Sequence, residues 1–319
     1  MLKVLRVGAT AFDEPAPGAA LPVDAVWLDL SHPTVDEEQA VEAFLGLDLP
    51  TREDMVEIEP SSRLYQDNGA LVMTAAVLVG SGELPVPVLE PVTFVLARQR
   101  LVTIRYADPK PFRIFAAQAQ RQPHLAENGA VTLVNLLEAI IDRIADILER
   151  TSAEVEEVSA CIFAGGRKAG GFDKLLSRLG RAQNVNVKAR ESLVSLARLI
   201  SFCQLSAAVS RSREAKDLLS SQDRDVRSLT DHASSVAGNI QFLLDAALGF
   251  INIEQNQIIK VFSVFTVCLM PPTLIGAIYG MNFDHMPELR IVWAYPAVLL
   301  AMLISGVAPL LWFWRKHWL

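Results

Sequence analysis

Side chains able to do chemistry are scattered along this chain. Its five histidines, His32, His124, His232, His285 and His317, form no HExxH pair and no triad-like grouping. Cys161, Cys203 and Cys268 lie far apart without a CxxC pair, so neither a thiolate zinc site nor a disulfide framework is expected. There is no GxSxG elbow and no Walker A loop. Gly165-Gly166-Arg167-Lys168-Ala169-Gly170-Gly171 has the glycines of a phosphate cradle, but it follows a helical pattern and lacks the GK[ST] ending. It reads as a turn between helices. Arg211-Ser212-Arg213-Glu214 and Asp223-Arg224-Asp225 read as solvated helix faces. Neither an enzyme nor an ATP-driven pump is expected.

Another kind of chemistry lies near the C-terminus. Asn256, Thr266, Thr273 and Gly280 recur at intervals of ten, seven and seven residues, with Met270 between, inside a largely apolar stretch. Such spacing keeps them on one face of a slightly supercoiled helix. The stripe suits a helix–helix seam, where Thr and Gly are favoured, as well as a polar path. Two spans cannot enclose water, so a pore would need several copies in a ring.

The elements that carry this stripe are two spans. Val261 to Met281 and Ile291 to Trp314 contain no charged side chain, and about 20 apolar helical residues cross a hydrocarbon core of about 30 Å. They form a hairpin in a lipid bilayer. Lys260 precedes the first span and Arg315-Lys316-His317 follow the second, while the connecting loop holds Asp284 and Glu288 against Arg290. The positive-inside bias places both termini in the cytoplasm. No basic segment followed by an apolar run opens the chain, so no secretory signal is expected. A net charge of −7 argues against a nucleic-acid partner and suits cations. With 51% hydrophobic and 20% charged residues, a large polar region must accompany the small membrane part. The absence of paired cysteines suits a reducing cytosol.

An α+β domain, a mixed sheet flanked by helices, is expected over residues 1–125. Ala25 to Leu30 reads as a buried strand, and Thr34 to Leu45 as a helix with Thr34 and Glu37 in a capping box. Pro50-Thr51-Arg52-Glu53-Asp54 opens another helix. Strands follow at Arg63–Gln66, Ala70–Val79, Val92–Leu96 and Leu101–Tyr106. No proline occurs between Pro123 and Pro271, which predicts long helices. A helix over Val131–Phe163 breaks at the glycine run. The next helix is expected to reverse near Leu219-Ser220-Ser221-Gln222-Asp223, with Ser221 as cap. The expected divisions are a helical hairpin at 126–220, a stalk helix at 221–258, a first span at 259–281, an external loop at 282–290, a second span at 291–314 and a basic cytosolic tail at 315–319.

Tyr279-Gly280-Met281-Asn282-Phe283, with Met286-Pro287-Glu288-Leu289 just after it, resembles the signature loop of the CorA family of divalent-cation channels. Met270-Pro271 in the first span, the basic-aromatic ending Trp314-Arg315-Lys316-His317-Trp318-Leu319, and weaker matches such as Trp27-Leu28-Asp29 extend the resemblance over essentially the full length. The resemblance implies a homopentameric channel in the inner (plasma) membrane, with a stalk helix continuing into a pore-lining span. Its selectivity filter falls on Tyr279, Gly280, Met281 and Asn282. Pore-lining positions are Asn256, Ile259, Phe262, Thr266, Met270 and Thr273, with Ile259 and Phe262 narrowing the path. Asp284 and Glu288 form an acidic mouth, and Asp245 matches a regulatory Mg²⁺ position. The implied function is Mg²⁺ influx, with Co²⁺ and Ni²⁺ as further ions, under feedback by internal Mg²⁺. Two alternatives are a ZntB-like zinc transporter, which tends to have a glycine-rich loop here, and a membrane-anchored scaffold, which would need neither motif.

Overall fold

Local capping decides where the first helices begin. The computed structural model describes the chain except residues 17, 58, 60–62, 81–86, 165–170, 207–208, 210–211, 283–286 and 317–319, and the side chains of 288 and 289. Two units are distinct, Met1–Leu244 and Asp245–Leu319. In the first, Thr34 opens α1 (Val35–Leu45) and Thr51 opens α2 (Arg52–Val56), each through a reciprocal capping box with Glu37 or Asp54. Both caps match the sequence expectation.

Among the described residues, six strands form one mixed sheet: β1 (Leu2–Arg6), β2 (Ala25–Ser31), β3 (Leu64–Asp67), β4 (Ala70–Val79), β5 (Val88–Ala97) and β6 (Arg100–Arg105), in the order β1-β2-β6-β5-β4-β3. Only β2 and β6 pair in parallel; the other neighbours are antiparallel. Alternation along the strands gives the sheet two apolar faces. Leu28, Leu30, Val72, Val95 and Ile104 pack with Val41, Leu45 and Met55 of α1 and α2. The other face presents Trp27, Met73, Phe94 and Leu101 to α3 (Lys110–Arg121), α4 (Gly129–Phe163) and α5 (Phe172–Gln204). The sheet is therefore sandwiched, as expected, but β1 and α3 were not anticipated.

Within the second face lies a buried ion pair. The Arg105 guanidinium grips Asp29 through Nε–Oδ1 at 3.1 Å and Nη2–Oδ2 at 2.9 Å. Thr103 donates to Asp29 at 2.7 Å and accepts from the Trp27 indole at 3.0 Å. Burial by itself would lower the Arg105 pKa, but the hydrogen bonds and charges of Asp29 and then Asp108 outweigh it and raise it.

Helix α4 starts two residues earlier than expected. Asn128 caps it by accepting from the Ala130 and Val131 amides, and the Gly129 amide donates to Gln99. A Cβ on Gly129 would meet the backbone of Arg100 and Leu101, so only glycine lets α4 approach the β5–β6 turn this closely. After α4, Gly171 adopts φ 102° and opens α5.

The expected reversal near Leu219–Asp223 is corrected. The break falls between Gln204 and Arg213, and α6 runs unbroken from Arg213 to Tyr279. Its hydroxyl cap is Ser212, which accepts from the Ala215 amide at 3.3 Å, while Ser221 lies inside the helix. Leu219 and Val226 belong to the domain core, and Gln222 donates to the Val134 carbonyl of α4 at 2.9 Å. A turn there would forfeit that packing. The expected boundary at residue 220 thus falls inside α6 rather than between elements.

Candidate membrane-spanning site

The second unit consists of the distal part of α6, a short 3₁₀ turn at Pro287–Arg290, and α7 (Ala294–Arg315). Both helices are long and apolar enough to cross a membrane. The helix Ala294–Arg315 lies over the stretch Ile291–Trp314 where the second span is expected.

One side of α6 meets α7. Val264 is buried, a Cβ on Gly276 would come to 3.2 Å from Met302, and one on Gly306 to 3.3 Å from both the Cys268 carbonyl and the Pro272 ring. Small residues at these points let the two backbones approach. At about 100° per residue, Val264, Cys268, Pro272 and Gly276 share one broad face, while Ile259, Phe262, Thr266, Met270 and Thr273 fall within an arc of about 80° on the opposite side. All five are exposed on the single chain. Asn256, also exposed, lies about 40° outside that arc. Of the predicted stripe, Thr266, Met270 and Thr273 thus lie with Ile259 and Phe262 on the side of α6 that α7 leaves open.

The threonines on this side are not idle donors. Thr266 gives its hydroxyl proton to the Phe262 carbonyl at 2.8 Å, and Thr273 gives its own to the Leu269 carbonyl, with Met270 a further acceptor. Their oxygens keep lone pairs, so the stripe presents acceptors. That is the polarity that water coordinated to a cation seeks.

Pro271 and Pro272 both lie inside α6. Neither has an N–H, so the carbonyls of Val267 and Cys268, four residues earlier, lose their usual helical partners. Gly306 of α7 sits against one of them. The sequence reading noted Met270-Pro271 but missed Pro272, Gly276 and Gly306. The signals were there: a double proline in a span and the Gly276-x-x-x-Gly280 spacing.

At its end, α6 closes with the Gly280 amide donating to Gly276 at 2.9 Å and Met281 to Ile278 at 3.2 Å. A Cβ on Gly280 would lie 3.1 Å from the Gly276 carbonyl. Glycine therefore allows the chain to leave the helix tightly. Tyr279, Gly280, Met281 and Asn282 are all exposed at this end. Phe283, Asp284 and Met286 lie outside the described residues, as does the Glu288 side chain, although its backbone is in the 3₁₀ turn. Asp245 is exposed on α6, at the start of this unit. Among the described residues, no three or more His, Cys, Asp or Glu side chains converge on a shared point.

Comparison with known proteins agrees with this architecture. The family model described as CorA-like Mg²⁺ transporter protein matches residues 23–316. The magnesium transport protein CorA of Salmonella typhimurium is 36% identical over 299 residues, 93% of each chain; its counterpart in Escherichia coli strain K12 matches to the same extent. Among solved structures, the complete CorA magnesium transporter of Methanocaldococcus jannaschii superposes with a TM-score of 0.79 at 17% identity, covering 100% of this chain and 99% of that one. Full-length CmaX superposes with a TM-score of 0.66 at 14% identity, covering 99% and 96%. At those identities the two structures speak for the fold alone.

Proposed function

Because this chain belongs to the CorA-like Mg²⁺ transporter family, we propose that it conducts Mg²⁺ across the inner membrane along the axis of a homopentamer. The observation that carries this reading is the placement of the polar stripe on α6 opposite the side covered by α7. A cyclic assembly of five copies would turn that side inward and leave α7 outside, toward lipid. Both termini would lie in the cytoplasm.

Mg²⁺ sheds its water reluctantly. A ring of Asn282 side chains, held where α6 ends at Gly280, offers neutral amide oxygens to the ion's coordinated water. Such contacts orient a hydrated ion without stripping it, and they are weak enough to release it, as conduction requires. Asp284 and Glu288, repeated around the mouth, would concentrate cations there. Beyond the filter, Thr273, Met270 and Thr266 continue the path, and Asn256 forms a second amide ring. Ile259 and Phe262 between them close the path by dewetting when the ring is narrow. Regulatory Mg²⁺ at Asp245 would screen repulsion between copies and favour the closed ring. Loss of that ion loosens the interface, which makes the protein a feedback valve. Co²⁺ and Ni²⁺, also held by water and neutral oxygen, are further ions for the same path.

The test is reconstitution in liposomes loaded with Mg²⁺- or Zn²⁺-sensitive dye. Mg²⁺ entry down its gradient is expected, and Asn282→Ala should reduce it at least about tenfold, the equivalent of one charge-assisted contact per ion. An unmoved Mg²⁺ signal, or Zn²⁺ entry that requires a proton gradient, would sink this reading.

A further inference from the structure

One surface of the hairpin is not used by the conduction path. Along one face of α7, Ala301, Ile304, Ala308, Pro309 and Trp312 line a groove of about 820 Å³ whose other wall is Val267 of α6. The polar side chain within it, Ser305, has its hydroxyl engaged with the Met302 carbonyl at 2.9 Å, so the floor makes no polar demand. From Ala301 to Trp312 the groove runs about 16 Å along the helix, about the depth of one leaflet of a bilayer whose core is about 30 Å thick.

The groove ends in cations. The Lys316 ammonium lies 5.7 Å from the centroid of the Trp312 ring, with Arg315 beside it, and both are exposed. Tryptophan and a cation at such a depth mark the headgroup level. Cys268 lies beside Gly306; eight residues further along each antiparallel helix, Lys260 is level with Trp314. Arg315 and Lys316 put basic charge at this level, and a phosphate would neutralise it.

We propose that the groove between Val267 and the Ala301–Trp312 face of α7 holds one acyl chain of an anionic glycerophospholipid, with its phosphate at Arg315 and Lys316. The apolar floor recognises the chain, and the two cations select an anionic over a zwitterionic headgroup. This site rests on the reading of α6 and α7 as membrane spans but not on ion conduction.

The experiment uses the full-length protein purified from vesicles of equal phosphatidylglycerol and phosphatidylcholine, with retained lipid counted by mass spectrometry of the intact assembly. Phosphatidylglycerol should be retained in preference. Arg315→Gln and Lys316→Gln should each reduce that preference about fivefold. Ala308→Trp, which fills the groove, should remove the retained lipid without changing the size of the assembly. Soluble glycerophosphate, which lacks acyl chains, should not be retained. Equal retention of the two lipids by the parent overturns the proposal, as does phosphatidylglycerol retention unaffected by both charge variants. Dissociation of the assembly by Ala308→Trp also overturns it, since the groove would then be a contact between copies. The charge variants lie outside the apolar floor and decide the matter even where Ala308→Trp does not fold. Flux is not measured, so the outcome is independent of the conduction reading.

Discussion

Replacing Arg105 by methionine tests how the buried pair holds the sheet. Asp29 and Arg105 are 5% and 7% exposed, so neither can recover its lost interaction from solvent. Asp29 accepts two hydrogen bonds from the guanidinium and one from Thr103, and the guanidinium also serves the Ala107 carbonyl at 2.8 Å and Asp108 at 3.0 Å. Arg105→Met leaves Asp29 with Thr103 alone. Breaking a buried pair from one side costs about 3–5 kcal/mol. For a domain of this size each kcal/mol moves Tm by about 2–4 °C, so a fall on the order of 10 °C is expected in thermal melting of the full chain followed by circular dichroism. Asp29→Leu combined with Arg105→Met removes both charges. It should recover most of the loss, short of about 1 kcal/mol for the acceptor that Thr103 loses. A single variant melting within about 2 °C of the parent, or a double variant no better than the sum of the singles, would refute the reasoning.

Gly129→Ala should cost at least about 1–3 kcal/mol, read as a lowered denaturation midpoint, because the new Cβ would lie 2.7 Å from the Leu101 nitrogen and 2.8 Å from Arg100 Cα, both backbone atoms that cannot swing aside. Burial raises the carboxyl pKa values of Glu138 and Asp142; Asp142 raises Glu138 and Asp146 raises Asp142 further, and Asp225 adds to both. Between the ordinary and raised values the folded chain holds more protons than the unfolded one, so stability falls as pH rises through that interval and stays lower above it. Glu138→Gln should flatten that fall and raise stability at neutral pH, by an amount that added salt diminishes; a steeper fall would contradict it. Asp245→Ala should weaken inhibition by internal Mg²⁺ in the liposome assay, and an unchanged inhibition curve removes Asp245 from the sensor.

Local signals were legible in the sequence wherever a few neighbouring residues decide the outcome. The capping boxes at Thr34 and Thr51 and the ten-residue strand Ala70–Val79 are of that kind. The mixed sheet could be anticipated as a class, but the parallel pairing of β2 with β6 joins residues more than seventy positions apart, and no local pattern encodes it. The Asp29–Arg105 pair is hidden for the same reason: Asp29 reads as one polar residue in an apolar strand until β6 is laid beside it. The misplaced reversal had a different cause. Ser220-Ser221 carries the propensity of a cap, yet Leu219 and Val226 are needed in the domain core and Gln222 on α4, and that packing overrides the local preference. In the membrane hairpin the spacing of Asn256, Thr266, Met270, Thr273 and Gly280 was visible because its period is that of a single helix, whereas Ile259 and Phe262 entered only through the family resemblance. Which side α7 covers was not visible, since it depends on Gly276 and Gly306 meeting bulky partners on the other helix.

The paired prolines give α6 an uneven stiffness. By residue count the helix is continuous from Arg213 to Tyr279, yet two successive rungs of its hydrogen-bond ladder are missing at Val267 and Cys268. A bending load applied at the Lys260 end therefore spends its deflection at that joint, about three turns before Tyr279. The turns beyond it, which carry Gly280 and Asn282, move as a short rigid cap and keep their internal spacing while the shaft below them leans.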